Sequence, residues 1–189
     1  MANRDNPSGL KVARHARGGL TRPNRYFIAS ALASNIFRGD PVIPVNTSKR
    51  INVATAGARL IGVFAQVLYV NVAGEVKFDK FWPSGQTLQT GSVAEALVWD
   101  DPETLFEVQH SGVMAIADVG AFFDVTMATA GNAMTGISGA EADTATLSTA
   151  DGQLRFEQIV DRPDNELGTN GKGLFVINEH FLRGALTGV

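Results

Sequence analysis

Cysteine is absent from all 189 residues. That removes disulfide staples, thiolate metal sites and cysteine nucleophiles together, and leaves stability to a packed core or to oligomerisation. Long apolar runs are missing as well. No stretch approaches the roughly 20 residues that cross a bilayer as a helix. The polar, basic N-terminus lacks the apolar segment of a secretory signal, so no membrane is expected, and the expected setting is a cytoplasm or a particle assembled there. Charged residues are sparse, at 19% against the usual share of about 25%. Phosphate-binding glycine loops and a GxSxG nucleophile elbow are both missing. The three histidines, His15, His110 and His180, are far apart and have no partner at metal-ligand spacing.

Few other residues carry a chemical pattern. Asp100 and Asp101 resemble a carboxylate pair, but adjacent strand residues point to opposite faces, so a turn-forming role is the better reading. Asp161, Asp164, Asn165 and Glu166 could ligate calcium, yet the register of an EF-hand loop is absent. Gly171-Lys172-Gly173 reads as a loop tip. Catalysis, cofactors and metals are therefore not expected.

Glycine is abundant at 20 residues, and the chain alternates short runs of strand formers with turn signals. Tyr26–Ser30, Val42–Val45, Lys49–Val53, Val76–Phe81, Leu97–Asp100, Leu105–Gln109, Phe122–Met127, Leu154–Val160 and Leu174–Asn178 all read as strands. The longest apolar stretch, Leu60–Val72, reads as strand broken near Ala65. Asp101-Pro102-Glu103 and Val72-Ala73-Gly74-Glu75 read as turns. Residues 128–153 are rich in Ala, Thr, Gly and Ser and read as a surface excursion with one strand at Ala145–Ser148. Residues 161–173 read as a polar loop, and the tail to Val189 as a short end. Strands spaced by turns every 8–12 residues predict an all-β chain, a β-sandwich or β-barrel with long loops.

The charge is unevenly placed. Residues 1–30 hold Arg4, Lys11, Arg14, Arg17, Arg22 and Arg25 against Asp5 alone, so an N-terminal stretch of about +5 precedes a body of about −8. Pro7, Gly9, Gly18, Gly19 and Pro23 exclude a helix there. The expected organisation is an extended basic arm, residues 1–25, on a β-rich body, residues 26–189. Arms of this kind bind acidic surfaces. Nucleic acid is not expected, because no aromatics interleave with the basic residues and the body is acidic. Beside the Pro83-Ser84-Gly85 loop, Phe81 and Trp82 are candidates for an exposed apolar anchor.

Several blocks carry a resemblance: NRDNPSGLKVARHARGG at 3–19, NRYFIAS at 24–30, IFRGDPV at 36–42, LIGVF at 60–64, VWDDPETLFEVQ at 98–109, DVGAFFDV at 118–125, and LRFEQIVDRPDNELGTNGKGLFVINEH at 154–180. Together they resemble a family of tailed-bacteriophage capsid decoration (cement, or minor structural) proteins. The resemblance spans nearly the whole chain and implies a non-enzymatic virion protein on the outer surface of the capsid. Its expected partners are the major capsid protein and further copies of itself, as a homotrimer or, in the alternative, a homodimer. Arg4, Lys11, Arg14, Arg17, Arg22, Arg25, Phe81 and Trp82 are then the expected contact residues. A head–tail connector or tail component is the alternative role.

Overall fold

In the computed structural model, residues 3–45 and 49–183 are described; the tail beyond Arg183 lies outside them. The chain is all β. Its strands are β1 (Lys11–His15), β2 (Asn24–Ile28), β3 (Ile36–Phe37), β4 (Pro41–Val45), β5 (Arg50–Val53), β6 (Gly62–Val70), β7 (Val76–Asp79) and β8 (Phe81–Trp82). They continue as β9 (Ala94–Trp99), β10 (Thr104–Gln109), β11 (Val113–Met114), β12 (Phe122–Thr126), β13 (Glu141–Ser148), β14 (Leu154–Ile159), β15 (Gly168–Thr169) and β16 (Lys172–Ile177). Among the described residues the only helical element is a 3-10 turn at Ile116–Asp118, closed by Asp118 Oδ2 accepting from Ala115 N–H at 2.7 Å.

One sheet has the order β4-β5-β2-β9-β6-β7, and an additional β4–β6 pairing closes its first five strands into a barrel. At the closure Pro41 pairs with Val63 and Val42 with Gly62. Gly62 is required there, because a Cβ would lie 2.2 Å from the Trp99 carbonyl oxygen. The interior is filled by Ile28, Val42, Ile51, Phe64, Val67, Tyr69, Trp82 and Val98. Ala94 and Ala96 face the same interior.

Strand β6 shows how sequence sets the faces. Phe64, Val67 and Tyr69 all point inward, although 64 and 67 have opposite parity. A bulge between Phe64 and Gln66 resolves this by inserting one residue, which flips every later side chain to the other face. Leu68 and Val70 are thereby turned outward.

The second sheet has the order β1-β10-β16-β14-β12-β13. It curls, so that His110 just after β10 bridges Ala142 in β13. Its inner face carries Phe106, Val108, Phe123, Leu154, Phe156, Phe175 and Ile177. Phe175 meets Phe123 edge-on at 5.8 Å and Phe156 at 5.2 Å. Leu60 and Val63 join this core while Ile61 and Phe64 join the barrel core. The segment 60–64 is therefore a wall shared by both.

Two elements differ from the sequence reading. Within the expected arm, the described residues 3–25 are not separate from the body. Leu10 is 1% exposed and belongs to the second core, and β1 forms that sheet's edge by pairing antiparallel with β10. The 128–153 stretch carries the eight-residue β13 in place of a short strand. Its small residues Ala140 and Ala142 are fully buried.

Candidate partner-binding surfaces

The N-terminal segment is fastened to the body before it reaches β1. Asn3 donates its amide to the Glu166 and Thr169 carbonyls at 2.8 and 2.9 Å, and its Oδ1 accepts from Glu166 N–H at 2.8 Å. Asn6 N–H donates to Gln109 Oε1 at 3.0 Å. Gly9, at φ +68°, passes so close to Ser138 that a Cβ would lie 2.6 Å from its side chain. Each of these contacts spans about a hundred or more residues of sequence.

In β1, Lys11 and Arg14 are three residues apart and would face opposite ways on a regular strand. A bulge between Val12 and Arg14 turns both outward, opposite Glu107 and Leu105. Arg155 of β14, Lys172 of β16, Arg162 and Arg183 surround the same outer surface. Acidic groups are interspersed: Arg162 Nη1 lies 3.2 Å from both Glu107 oxygens, Arg183 Nη2 lies 2.7 Å from Glu103, and Arg155 contacts Glu157. Arg17 pairs with Glu103 at 3.4 Å, and Arg14 donates to Gln158 at 3.1 Å. A shallow cleft of about 250 Å³ opens between Arg14, Arg155, Arg183, Glu103 and Glu157. Partial burial, then the nearby Lys172 charge, holds the Lys11 amine below the ordinary lysine range. The remaining arm residues are elsewhere. Arg4 and Arg22 are exposed, and Arg25 pairs with Glu95 at 3.3 Å on the barrel wall. The structure thus brings Lys11, Arg14 and Arg17 into one basic face and leaves Arg4, Arg22 and Arg25 out of it.

Trp82 needs correction as an exposed anchor. It is 0% exposed and packs edge-on against Tyr69 at 5.2 Å inside the barrel. Phe81 is half-buried and stacks on Phe37 at 5.5 Å. An exposed apolar patch lies on the neighbouring hairpin, where Leu68 faces Phe78 and Val70 faces Val76 across the β6–β7 ladder. Phe78 is 63% and Val76 68% exposed. A sequence signal for this existed: Val76 and Phe78 alternate with Lys77 and Asp79, the pattern of a strand with one apolar face.

No protein-family model, no curated protein and no solved structure matches this chain.

The remaining candidates are structural. Asp100 is buried and accepts from Asn24 Nδ2 at 2.8 Å and Tyr26 O–H at 2.7 Å, while Asp101 accepts from Glu103 N–H and contacts His15 at 3.2 Å. The two carboxylates serve separate neighbours. Asn165, in the loop weighed for calcium, donates its amide to the Val160 and Lys172 carbonyls and accepts from Lys172 N–H. His110 is buried with Nδ1 2.8 Å from the Gly112 carbonyl, and burial lowers its pKa. A cleft of about 390 Å³ runs between the N-terminal segment and the barrel, beside Ser8, Lys11, Ile137 and an Arg38 guanidinium 5.7 Å above the Trp99 ring.

Proposed function

We propose that this chain is a virion structural protein: a decoration, or cement, protein that binds the major capsid protein lattice of a tailed bacteriophage from outside and stabilises the head. The sequence blocks that resemble this family support the reading. So does the outward basic face of Lys11, Arg14, Arg155, Lys172 and Arg183, which is the single observation that carries it. A β-sheet face of this kind is rigid, so it pays little ordering entropy on docking. Arg155 and Arg183 are held by Glu157 and Glu103, and Lys11, Arg14 and Lys172 supply the positive charge left over for an acidic neighbour. Repetition over a lattice multiplies a modest single contact. Self-association as a closed trimer or a dimer belongs to the same reading.

Co-sedimentation with undecorated capsids, scored for saturating copy number, tests this. Saturation at a lattice-sized number is expected. The paired Lys11→Glu and Arg14→Glu changes should weaken binding at least tenfold, and the remaining binding should depend less on salt. Saturation at a single vertex, or absence of binding, would replace this role with the connector or tail component.

A further inference from the structure

The β6–β7 hairpin ends one side of the barrel sheet, and β7 has no further strand neighbour among the described residues. Its turn fixes which groups face the free edge. Asn71 N–H donates to the Glu75 carbonyl at 3.0 Å and Gly74 N–H to the Asn71 carbonyl at 3.0 Å, with Gly74 at φ +81°. Asn71 and Glu75 are thus a hydrogen-bonded pair, and alternation along the ladder turns the backbone groups of Val76 and Phe78 away from β6. Beyond them the edge is closed, because the Lys80 carbonyl accepts from Arg38 N–H at 2.9 Å. What remains open is a short strand edge with two large apolar side chains on one face. Natural proteins ordinarily blunt or cover such an edge.

We infer that the occupant of this edge is a second copy of the same chain, paired antiparallel through β7 about a twofold axis at Val76. The charges choose that register. Glu75 and Lys77 share one face and lie 3.1 Å apart. Centring the pair on Val76 sets Glu75 of each copy against Lys77 of the other. A shift of one position, centred on Lys77, would oppose two lysines. A centre further along would drive the hairpin turn into the edge closed by Arg38. In the Val76 register Val76 exchanges backbone hydrogen bonds with its counterpart. Phe78 lies over Gly74 of the second copy, where an added Cβ would meet nothing within 4 Å. Aromatic cover of an edge glycine is a recognised stabilising pairing. The two barrel sheets become one continuous sheet, and the closed form is the dimer, not the trimer.

This pairing needs no capsid, so it is tested in solution and stands or falls apart from the decoration reading. Light scattering of the purified full chain should give twice the chain mass, falling to the monomer mass on dilution. Amide exchange at Val76 and Phe78 should slow at least tenfold as the dimer forms. Phe78→Lys should give monomer. Glu75→Lys alone and Lys77→Glu alone should each give monomer, because each sets like charges across the axis; an equimolar mixture of the two should recover the dimer. Circular dichroism confirms that the variants are folded, and the wild-type exchange data stand without them. A wild-type monomer at every concentration, a trimer, or a dimer indifferent to all three substitutions would overturn the inference.

Discussion

Two buried residues, Asp40 and His180, are 1% and 0% exposed and titrate in opposite senses. The Asp40 Oδ2 accepts from Phe37 N–H at 2.7 Å, but removal from water dominates and pushes its pKa up to about 6. His180 Nδ1 accepts from Leu182 N–H at 3.1 Å, so a proton there must displace an existing bond. Burial, then the Arg183 charge, pulls its pKa down to about 4. The folded chain holds the Asp40 proton more tightly than the unfolded chain, whose carboxyl has the ordinary value of 3.8. Asp40 therefore contributes most stability below that value, and the contribution is lost as pH rises through about 6. His180 does the reverse. Its contribution is complete above its ordinary value of 6.5 and is lost as pH falls through about 4. Each is of order 3 kcal/mol, and between those limits they nearly offset. Urea midpoints measured across this range should show Asp40→Asn losing stability more steeply than wild type on acidification, and His180→Gln less steeply. Parallel profiles for all three proteins would show that neither group is linked to folding.

At the scale of elements, the N-terminal strand shows where packing departs from local pattern. Leu10 enters the second core one residue before β1 begins, and its backbone N–H donates to the Gly39 carbonyl at 2.9 Å. Leu10→Ala should therefore cost about 2–5 kcal/mol, as for a core leucine and not a tail residue. Chemical denaturation decides between these, since a loose arm would leave the midpoint unchanged. Strands β12, β14 and β16 were legible in sequence because each carries two or more large inward side chains in a short run. Leu60–Val72 was legible as strand, but in place of the break expected near Ala65 the strand runs on from Gly62 to Val70 with a bulge between Phe64 and Gln66, which a uniformly apolar run does not announce. Strand β1 was not legible. It has one inward residue, Val12, and its partner β10 lies some ninety residues away. Only the second half of strand β13, Ala145–Ser148, was legible; its first half was hidden because Ala142 is small and the buried Glu141 is satisfied by Gln109 Nε2 at 2.9 Å, a contact no local pattern announces. For the surfaces, the cations were legible as a group but their arrangement was not. The bulge in β1 and the distant Arg155, Lys172 and Arg183 make the face. Trp82 was misread because a tryptophan beside a Pro-Ser-Gly loop looks exposed, whereas the β3–β8 pairing folds it under.

The molecule as a whole has two cores and one shared wall. Residues 60–64 alternate between them, with Leu60 and Val63 in one and Ile61 and Phe64 in the other. A strand that leaves either core must strip the other, so the halves cannot loosen independently. The N-terminal segment adds a second tie: it crosses from the β10 edge to Gly39, beside the barrel strand β4. Cooperative unfolding of the whole chain follows, as expected for a domain whose elements share buried neighbours. The two tryptophans report on the two sides. Trp82 lies within the barrel, and Trp99 packs partly buried against the other core. In Trp99→Phe the remaining indole reads the barrel; in Trp82→Phe it reads the core of the second sheet. Each variant will have its own stability, because each loses a packed ring. Within each one, however, the fluorescence midpoint in urea should coincide with the midpoint from far-ultraviolet circular dichroism. A barrel signal that disappears before or after the global one would mean that the 60–64 wall does not couple the cores, and that barrel and sheet behave as separate folding units.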